Sequence, residues 1–337
     1  MRDAVRRSIR AARISVQRVR TELEWLRSRR AGADLALFHE FSPPPGGGGH
    51  QFLRALTREL SGREIVVEHD CISGKTPACL FNSFNFDFGR LRRFAREDCR
   101  MVHRVDGPIG VYRGFDDGTD ARIAALNAEL AHATVLQSLY SLEKHAELGI
   151  ELRAPVVITN AVDPAIFHPP DAGKPAAGRP LRVIASSWSQ NPRKGAEVLA
   201  WLDRELDPSF ATLTFVGQSP QAFERIREIG PVDSYGVAQL LREHDVYLAT
   251  SRDDPCSNAL LEALACGLPA AYLDSGGHPE LVGEGGVPFR SAEDVPDALT
   301  SLAADLDGFR SHIRVPSLPS VADSYLEVLG LGDEGWP

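Results

Sequence analysis

No stretch of this chain approaches the run of about 18 apolar residues that a membrane-crossing helix needs, so none is expected. The N-terminus has no apolar signal core, and secretion is not expected. Cysteines are few and odd in number: Cys71, Cys79, Cys99, Cys256 and Cys266, with no C-x-x-C pair. The simplest reading is a cytoplasmic protein with reduced thiols. There is no G-x-G-x-x-G with a downstream acid, no Lys-Ser/Thr of a P-loop and no G-x-S-x-G. Dinucleotide oxidoreductases and hydrolases of the nucleophile-elbow type therefore recede. Zinc-like Cys/His spacing is also missing. The one Asp-x-Asp, Asp305 and Asp307, falls in a helical region rather than after a strand and reads as surface charge, so no metal is expected.

What is present is a 337-residue chain with 43% hydrophobic and 25% charged residues, enough for two ordinary domains. The net charge of −9 hides an asymmetry. Residues 1–30 hold ten arginines and three acids, which leaves 27 basic against 43 acidic side chains in the rest. The body is thus expected to have no general affinity for nucleic acid. Within 1–30, Val5, Ile9, Ala12, Val16, Val19, Leu23 and Leu26 form one helical stripe among arginines. That helix can pack on the body, pair with another copy, or lie on anionic lipid with Trp25 at headgroup level.

From Asp34 the pattern is strand and helix in alternation. ALFHEF reads as a strand, followed by the glycines 46–49 and a helix; such a loop allows close backbone approach to a ligand, with Gly47 and Gly48 the candidate contacts. REIVVEHD and ACLFNSFNFDF are strand-like, then a basic helix covers Arg90 to Arg96. MVHRVDGPIGVY places His103, Arg104 and Asp106 at what reads as a strand end, where α/β sheets bind ligands. His103 and Asp106 are accordingly site candidates. Residues 171–180, rich in Gly, Pro and Ala, read as a linker. LRVIASS then opens a second α/β unit, with a helix from Ala196, the strand ATLTFVGQS, a helix around Ala222 to Glu228, and the strand DVYLATS. Two runs of alternating strands and helices indicate two parallel-sheet domains, and an amphipathic helix from Ser320 closes the chain.

The most informative stretch runs from Asp253 to Gly286. After the apolar strand come Asp253, Asp254 and Pro255, then a helix that Ser257 or Asn258 can cap and that Gly267 and Pro269 end. Unpaired N–H groups at a helix start suit an anion, and Glu262, four residues after Asn258, shares a face with it to meet hydroxyls. Lys194, with Arg193 beside it, brings positive charge to the WSQNPRKG turn, suited to a diphosphate; Arg252 is a further cation nearby. Cys256 has no evident activating His and reads as site-lining.

DDPCSNALLEALACGLP followed by SGGHPELV resembles the nucleotide-sugar signature of glycosyltransferase family 4, retaining enzymes of GT-B architecture. Asp254 and Glu262 stand at the signature's two acidic places. The resemblance implies that Glu262 binds ribose hydroxyls, that backbone around Ser257 and Asn258 meets the donor, and that Asp254 faces the sugar. Lys194-Gly195 matches the family's K-G turn, implying diphosphate contact, with Ser186, Ser187 and Trp188 where a Gly-Arg is usual. TVLQSLYS and ITNAVDPAIFHP resemble stretches closing the N-terminal domain, the glycine run resembles the donor–acceptor loop, and His103 lies where such enzymes often carry an active-site His. The likeness covers roughly Asp34 to Phe289.

The expectation is therefore two Rossmann-like parallel-sheet domains facing a cleft: an acceptor domain over 31–170, a linker over 171–180, a donor domain over 181–318, and a tail over 319–337 crossing back to the first domain, preceded by the helix of 1–30. The expected activity is metal-independent, retaining transfer from a nucleotide-diphosphate sugar to a glycan, lipid-linked or other hydroxyl acceptor, as in polysaccharide synthesis. No resident cofactor is expected. His103, Asp106, Asp254 and Lys194 are the expected catalytic groups. Glu262, Ser257, Asn258, Lys194, Arg193, Gly47 and Gly48 are the expected donor contacts. The alternative is a non-catalytic nucleotide-sugar-binding partner subunit. The cytoplasm is the expected location, with peripheral membrane contact or self-association assigned to residues 1–30.

Overall fold

The computed structural model describes residues 32–41, 48–170, 179–219 and 221–332. The helix expected over 1–30, Gly47, and residues 171–178 of the linker lie outside them. Among the described residues, twelve strands form two sheets. The first holds β1 (Leu35–Phe38), β2 (Val67–His69), β3 (Ala78–Asn82), β4 (Arg100–Val105), β5 (Ala133–Leu136) and β6 (Pro155–Val157). The second holds β7 (Leu181–Ser187), β8 (Ala211–Gly217), β9 (Arg227–Ile229), β10 (Val246–Ala249), β11 (Ala270–Leu273) and β12 (Gly286–Phe289). The helices are α1 (Gly48–Gly62), α2 (Phe88–Phe94), α3 (Ile109–Arg113), α4 (Thr119–Leu130), α5 (Leu139–Glu147) and α6 (Ala196–Glu205). Then come α7 (Ser234–Glu243), α8 (Asn258–Ala265), α9 (His278–Val282), α10 (Val295–Ala304), α11 (Leu306–His312) and α12 (Leu318–Leu329).

All strand pairings are parallel. Spatial order is β2-β1-β3-β4-β5-β6 in one sheet and β12-β11-β10-β7-β8-β9 in the other. Parallel strands need helical crossovers on both faces, so the central strands read as unbroken apolar runs. LALF of β1 and VYLA of β10 are buried at every position. Each sheet accordingly has a core on either side. In the first, Leu37, Leu80 and Val102 pack with Phe52 of α1 on one face; Phe38, Phe81 and Met101 pack with Leu91 and Leu126 on the other. The last helix, α12, lies on the first of these faces and inserts Val321, Tyr325 and Leu329 there. The C-terminal residues thus complete the N-terminal sheet's core.

One expected helix is absent: residues 222–228 form no helix and lead into the short edge strand β9. The cause is Asp203 on α6. Its carboxylate accepts hydrogen bonds from the backbone N–H groups of Glu224, Arg225 and Ile226, each at 2.8 Å. Those donors are captured by a tertiary partner before a helical turn can use them.

Order reversals fix where a ligand can sit. In a doubly wound sheet, crossovers leave a sheet in opposite directions at a switch point, opening a crevice beyond the strand C-termini. Here these points are β1/β3 and β7/β10, and their C-terminal ends face each other. Among the described residues, no helix is long and apolar enough to cross a membrane. All five cysteines are buried thiols, and none is in a disulfide.

Candidate functional site

Between the sheets lies a cavity of about 400 Å³, within the range of small-molecule sites. Its wall is made by residues at or just beyond strand C-termini: His39 after β1, Asn82 ending β3, Asp106 after β4, Gln137 after β5, Ser186 to Trp188 around the end of β7, and Thr250 and Ser251 after β10. The start of α1 supplies Gly49 and His50, and the start of α8 supplies Ser257, Asn258 and Glu262. The two domains approach closely at the rim. A Cβ on Gly107 would lie 2.7 Å from the Cβ of Pro255, so only glycine fits there.

On the C-terminal side, Lys194 ends a 3₁₀ turn whose first N–H is capped by the Asn191 side chain. Gly195 follows in the left-handed region at φ 99°, and the Thr250 hydroxyl donates to the Lys194 carbonyl at 2.9 Å. So anchored, the Lys194 ammonium sits 2.7 Å from Asp254 Oδ2 and 4.5 Å from the centre of the Tyr112 ring. Burial works to neutralise both partners, but their mutual attraction prevails: Asp254 is held below the usual carboxylate range and Lys194 above the usual ammonium range. Asp254 also accepts from the Ser251 hydroxyl at 3.3 Å and the Cys256 N–H at 3.3 Å.

Ser257 is the N-cap of α8, its hydroxyl accepting from Leu260 N–H. One turn on, Glu262 is only 8% exposed, and its carboxyl has no hydrogen-bond or ionic partner among the described residues. Burial alone pushes its carboxyl up to about 8. A buried, cleft-lining carboxyl without donors is a candidate binding group. Cys256, close to it on the same turn and helix start, is pushed up to about 12 by burial, so its thiol stays protonated.

Two expected residues are not in the cleft. His103 is not at a strand end but inside β4, fully buried, stacked on Phe81 at 4.3 Å between ring centres, with Nδ1 3.1 Å from the Asn127 amide. Burial lowers it to about 3, so it remains a neutral packing residue. The twofold alternation of β4 is responsible: with His103 turned to the α4 side, its neighbour Arg104 takes the face shared with α1. Arg193, similarly, points away from the cavity and pairs with Asp253. Asp253 has φ 55°, an uncommon conformation for a non-glycine residue, and is held by this pair and by the Tyr140 hydroxyl at 3.1 Å. Gly48 opens α1 next to the cavity, and Arg252 is exposed at its edge.

A polar network backs the N-terminal wall. Arg104, fully buried, donates to Asn82 Oδ1 at 2.8 Å, Asp106 Oδ1 at 3.0 Å and Asn160 Oδ1 at 3.0 Å. His39 Nε2 lies 2.7 Å from His50 Nδ1. Burial is the main cause holding both imidazoles below the usual range, His39 at about 3. On the opposite wall His278 bonds the Leu273 carbonyl through Nδ1 and Ser251 through Nε2. The glycine run is the only sequence signal for His50 and the SGGHPELV stretch the only one for His278; nothing marks His39. The domains are tied together by Glu280, whose carboxylate accepts from Leu139 and Tyr140 N–H groups at 2.9 and 3.0 Å, and by Asn160 to Asn258 at 3.1 Å.

Comparison with known proteins agrees with this geometry. Residues 182–305 match the family described as glycosyl transferases group 1. The chain is 29% identical to a subunit of the Homo sapiens phosphatidylinositol N-acetylglucosaminyltransferase over 142 residues, covering 38% of this chain and 28% of that protein. Sucrose-phosphate synthase from Thermosynechococcus elongatus superposes with a TM-score of 0.63 at 16% identity, over 89% of this chain and 95% of that one. Anabaena HepE, solved with UDP and glucose, gives 0.60 at 15% over 88% and 95%. The catalytic domain of Arabidopsis thaliana starch synthase IV, bound to ADP and acarbose, gives 0.65 at 12% over 89% and 99%. At these identities the structures establish the shared two-domain architecture. The chain therefore has the GT-B fold, and the stretch that carries Lys194, Asp254 and Glu262 is the part similar to group 1 glycosyl transferases.

Proposed function

We propose that this protein transfers a sugar from a nucleotide-diphosphate sugar to a hydroxyl acceptor, with retention of anomeric configuration. The observation that carries the reading is Glu262: a buried carboxyl without a partner among the described residues, one turn into a capped helix whose start faces Lys194. The ionised carboxylate would accept from the ribose hydroxyls, and the diphosphate would rest between Lys194 and the α8 N-terminus. The bound ligands of the superposed proteins, UDP with glucose and ADP with acarbose, support a donor of this class. When the sugar–phosphate bond breaks, the electron pair leaves on the diphosphate, where Lys194 and the helix N–H groups stabilise it. The acceptor oxygen would attack from the same face and pass its proton to the departing phosphate oxygen, with rate gained from positioning. Asp106 lies on the acceptor side of the cavity. We propose no metal in these steps. A lipid-linked acceptor would agree with the human relative's name and with the arginine-rich residues 1–30.

The test is turnover of UDP-, GDP- and ADP-glucose by the full chain and by its Glu262→Ala and Lys194→Ala variants. Each variant is expected to lose most activity, on the order of a hundredfold for Lys194→Ala. Undiminished turnover in both would refute the reading, and nucleotide binding without turnover would make the chain a non-catalytic binding partner instead.

A further inference from the structure

A hydrogen-bond chain leads from a buried guanidinium to the cavity, and its direction is fixed at the source. Arg104 can only donate. The Asn82 amide must therefore turn its oxygen to Arg104, at 2.8 Å, and its NH₂ to His39 Nδ1, at 3.3 Å. His39 Nδ1 is then an acceptor, so the proton of this neutral ring is on Nε2. That N–H points at His50 Nδ1, 2.7 Å away. His50 accepts there, and its own proton is on Nε2, the nitrogen with no partner among the described residues. Reversing any member would set two donors face to face next to Arg104. Both rings are held neutral by burial, and both line the cavity.

A second branch sets an acceptor. Arg104 donates to Asp106 Oδ1 at 3.0 Å, and the Gln137 amide donates to the same oxygen. Gln137 has no choice of orientation either. Its oxygen accepts from the Asn160 NH₂ at 3.2 Å, and the Asn160 oxygen is taken by Arg104 at 3.0 Å. Asp106 Oδ2 is left without a hydrogen bond among the described residues, and Asp106 lines the same cavity as His50. A hydroxyl needs one donor and one acceptor beside it, and the N-terminal wall offers both.

We propose that His50 Nε2–H and Asp106 Oδ2 form the seat of the hydroxyl that receives the sugar, with Arg104, through Asn82 and His39, as the positioning residue that sets its polarity. His50 acts as a hydrogen-bond donor, not as a base. This rests on the glycosyl-transfer reading above, so the experiment has a part that does not depend on activity. Two-bond ¹H–¹⁵N spectra of histidine-labelled protein, assigned with His39→Gln and His50→Gln, report each ring's tautomer. The result expected at pH 7.5 is a neutral Nε2–H form for both His39 and His50. Asn82→Asp, which replaces the amide donor by a carboxylate acceptor, is expected to move both protons to Nδ1. A wild-type His50 that is cationic, or protonated on Nδ1, overturns the proposal whether or not the Asn82→Asp variant folds. The second arm uses whichever of UDP-, GDP- or ADP-glucose binds by calorimetry. His50→Ala is expected to leave the nucleotide-sugar Kd within about twofold and lower transfer to water about tenfold, the weight of one hydrogen bond, while His50→Gln keeps a donor and restores most of it. Equal loss of nucleotide-sugar affinity would place His50 on the donor and refute the acceptor seat. Binding of none of the three sugars would defeat the transfer reading and the seat with it, leaving the tautomer result to stand on its own.

Discussion

Replacing Glu262 by Gln should stabilise the protein and weaken it as a donor-binding site, and both effects should depend on pH. In the folded state burial raises this carboxyl from 4.5 to about 8, whereas the unfolded chain titrates near the ordinary value. The folded state therefore keeps a proton that the unfolded state releases. The stability associated with that proton is fully present below about pH 4.5 and is lost as pH rises toward about 8. One pKa unit is about 1.4 kcal/mol, so the loss is about 3 kcal/mol at pH 7 and about 5 kcal/mol above pH 8. Glutamine has the same shape and does not titrate. Its variant should match the parent near pH 4.5 and exceed it by about 1–3 kcal/mol at pH 8, part of the gain being offset by the amide's own unmet hydrogen bonds.

Ligand binding carries the opposite sign. In the proposed complex ribose hydroxyls would donate to the ionised carboxylate, so binding would lower its pKa and expel a proton below about pH 8. Donor affinity should then rise by up to about tenfold per pH unit toward pH 8 and level off above it. In Glu262→Gln the affinity should be lower throughout and flat with pH. Urea midpoints at pH 5, 7 and 8.5, with unchanged m values, measure the first effect. Calorimetry in two buffers of different ionisation enthalpy measures the proton released in the second. A stability difference that is the same at pH 5 and 8.5, or a parent-like affinity in the variant, would refute the assignment of Glu262 as a carboxyl waiting for donors.

Three other outcomes follow from contacts. Asp254→Asn removes the partner of Lys194, so the ligand-free variant should be less stable by about 3 kcal/mol, while its affinity for the bare nucleoside diphosphate rises and turnover of the sugar falls; calorimetry with both ligands separates the two. Glu280→Ala takes away the carboxylate that accepts from Leu139 and Tyr140 across the cleft; scattering should show a larger radius of gyration without ligand, and the melting temperature should fall by only a few degrees, as for loss of a helix cap. Asp203→Ala strips three backbone N–H donors of their acceptor and should cost about 2–4 kcal/mol in urea unfolding. Because backbone hydrogen bonds overcome the burial penalty and hold the Asp203 carboxyl below 3.8, that difference should be present above pH 4 and shrink as pH falls below it.

The alternation of apolar runs with capped helices made the two parallel sheets legible, because each strand buried on both faces must be apolar throughout and each crossover must be amphipathic. The DDPCSN turn and its helix were legible for a related reason: helix caps and acids at fixed spacing are local, and locality survives in sequence. What stayed hidden was decided by contacts between distant residues. Nothing near Ala222 announces that Asp203, about twenty residues earlier, takes its N–H groups. The side on which His103 and Arg104 emerge follows from strand alternation, but only once the limits of β4 are known. With those limits at Arg100 and Val105, His103 falls in the interior and Arg104 under the cavity. His39 and His50 are eleven residues apart, and their pairing depends on where the start of α1 lies relative to the end of β1.

The two walls of the cleft solve different electrostatic problems. The C-terminal wall holds charges: Lys194 and Asp254 neutralise each other, and burial keeps the Glu262 carboxyl protonated at pH 7. In the proposed complex, ligand groups would replace partners the protein supplies to itself or lacks. The N-terminal wall holds orientation instead. Arg104 cannot lose its proton and cannot accept, so every amide and imidazole in the chains that start from it has one permitted direction, and the groups that reach the cavity arrive with their roles assigned. Burying a guanidinium costs more than an apolar side chain of its size would, and the acceptor-bearing residues around it recover part of that. The remaining cost is what a fixed polarity requires, since a wall of freely rotating hydroxyls would reorganise for each ligand and hold none in place.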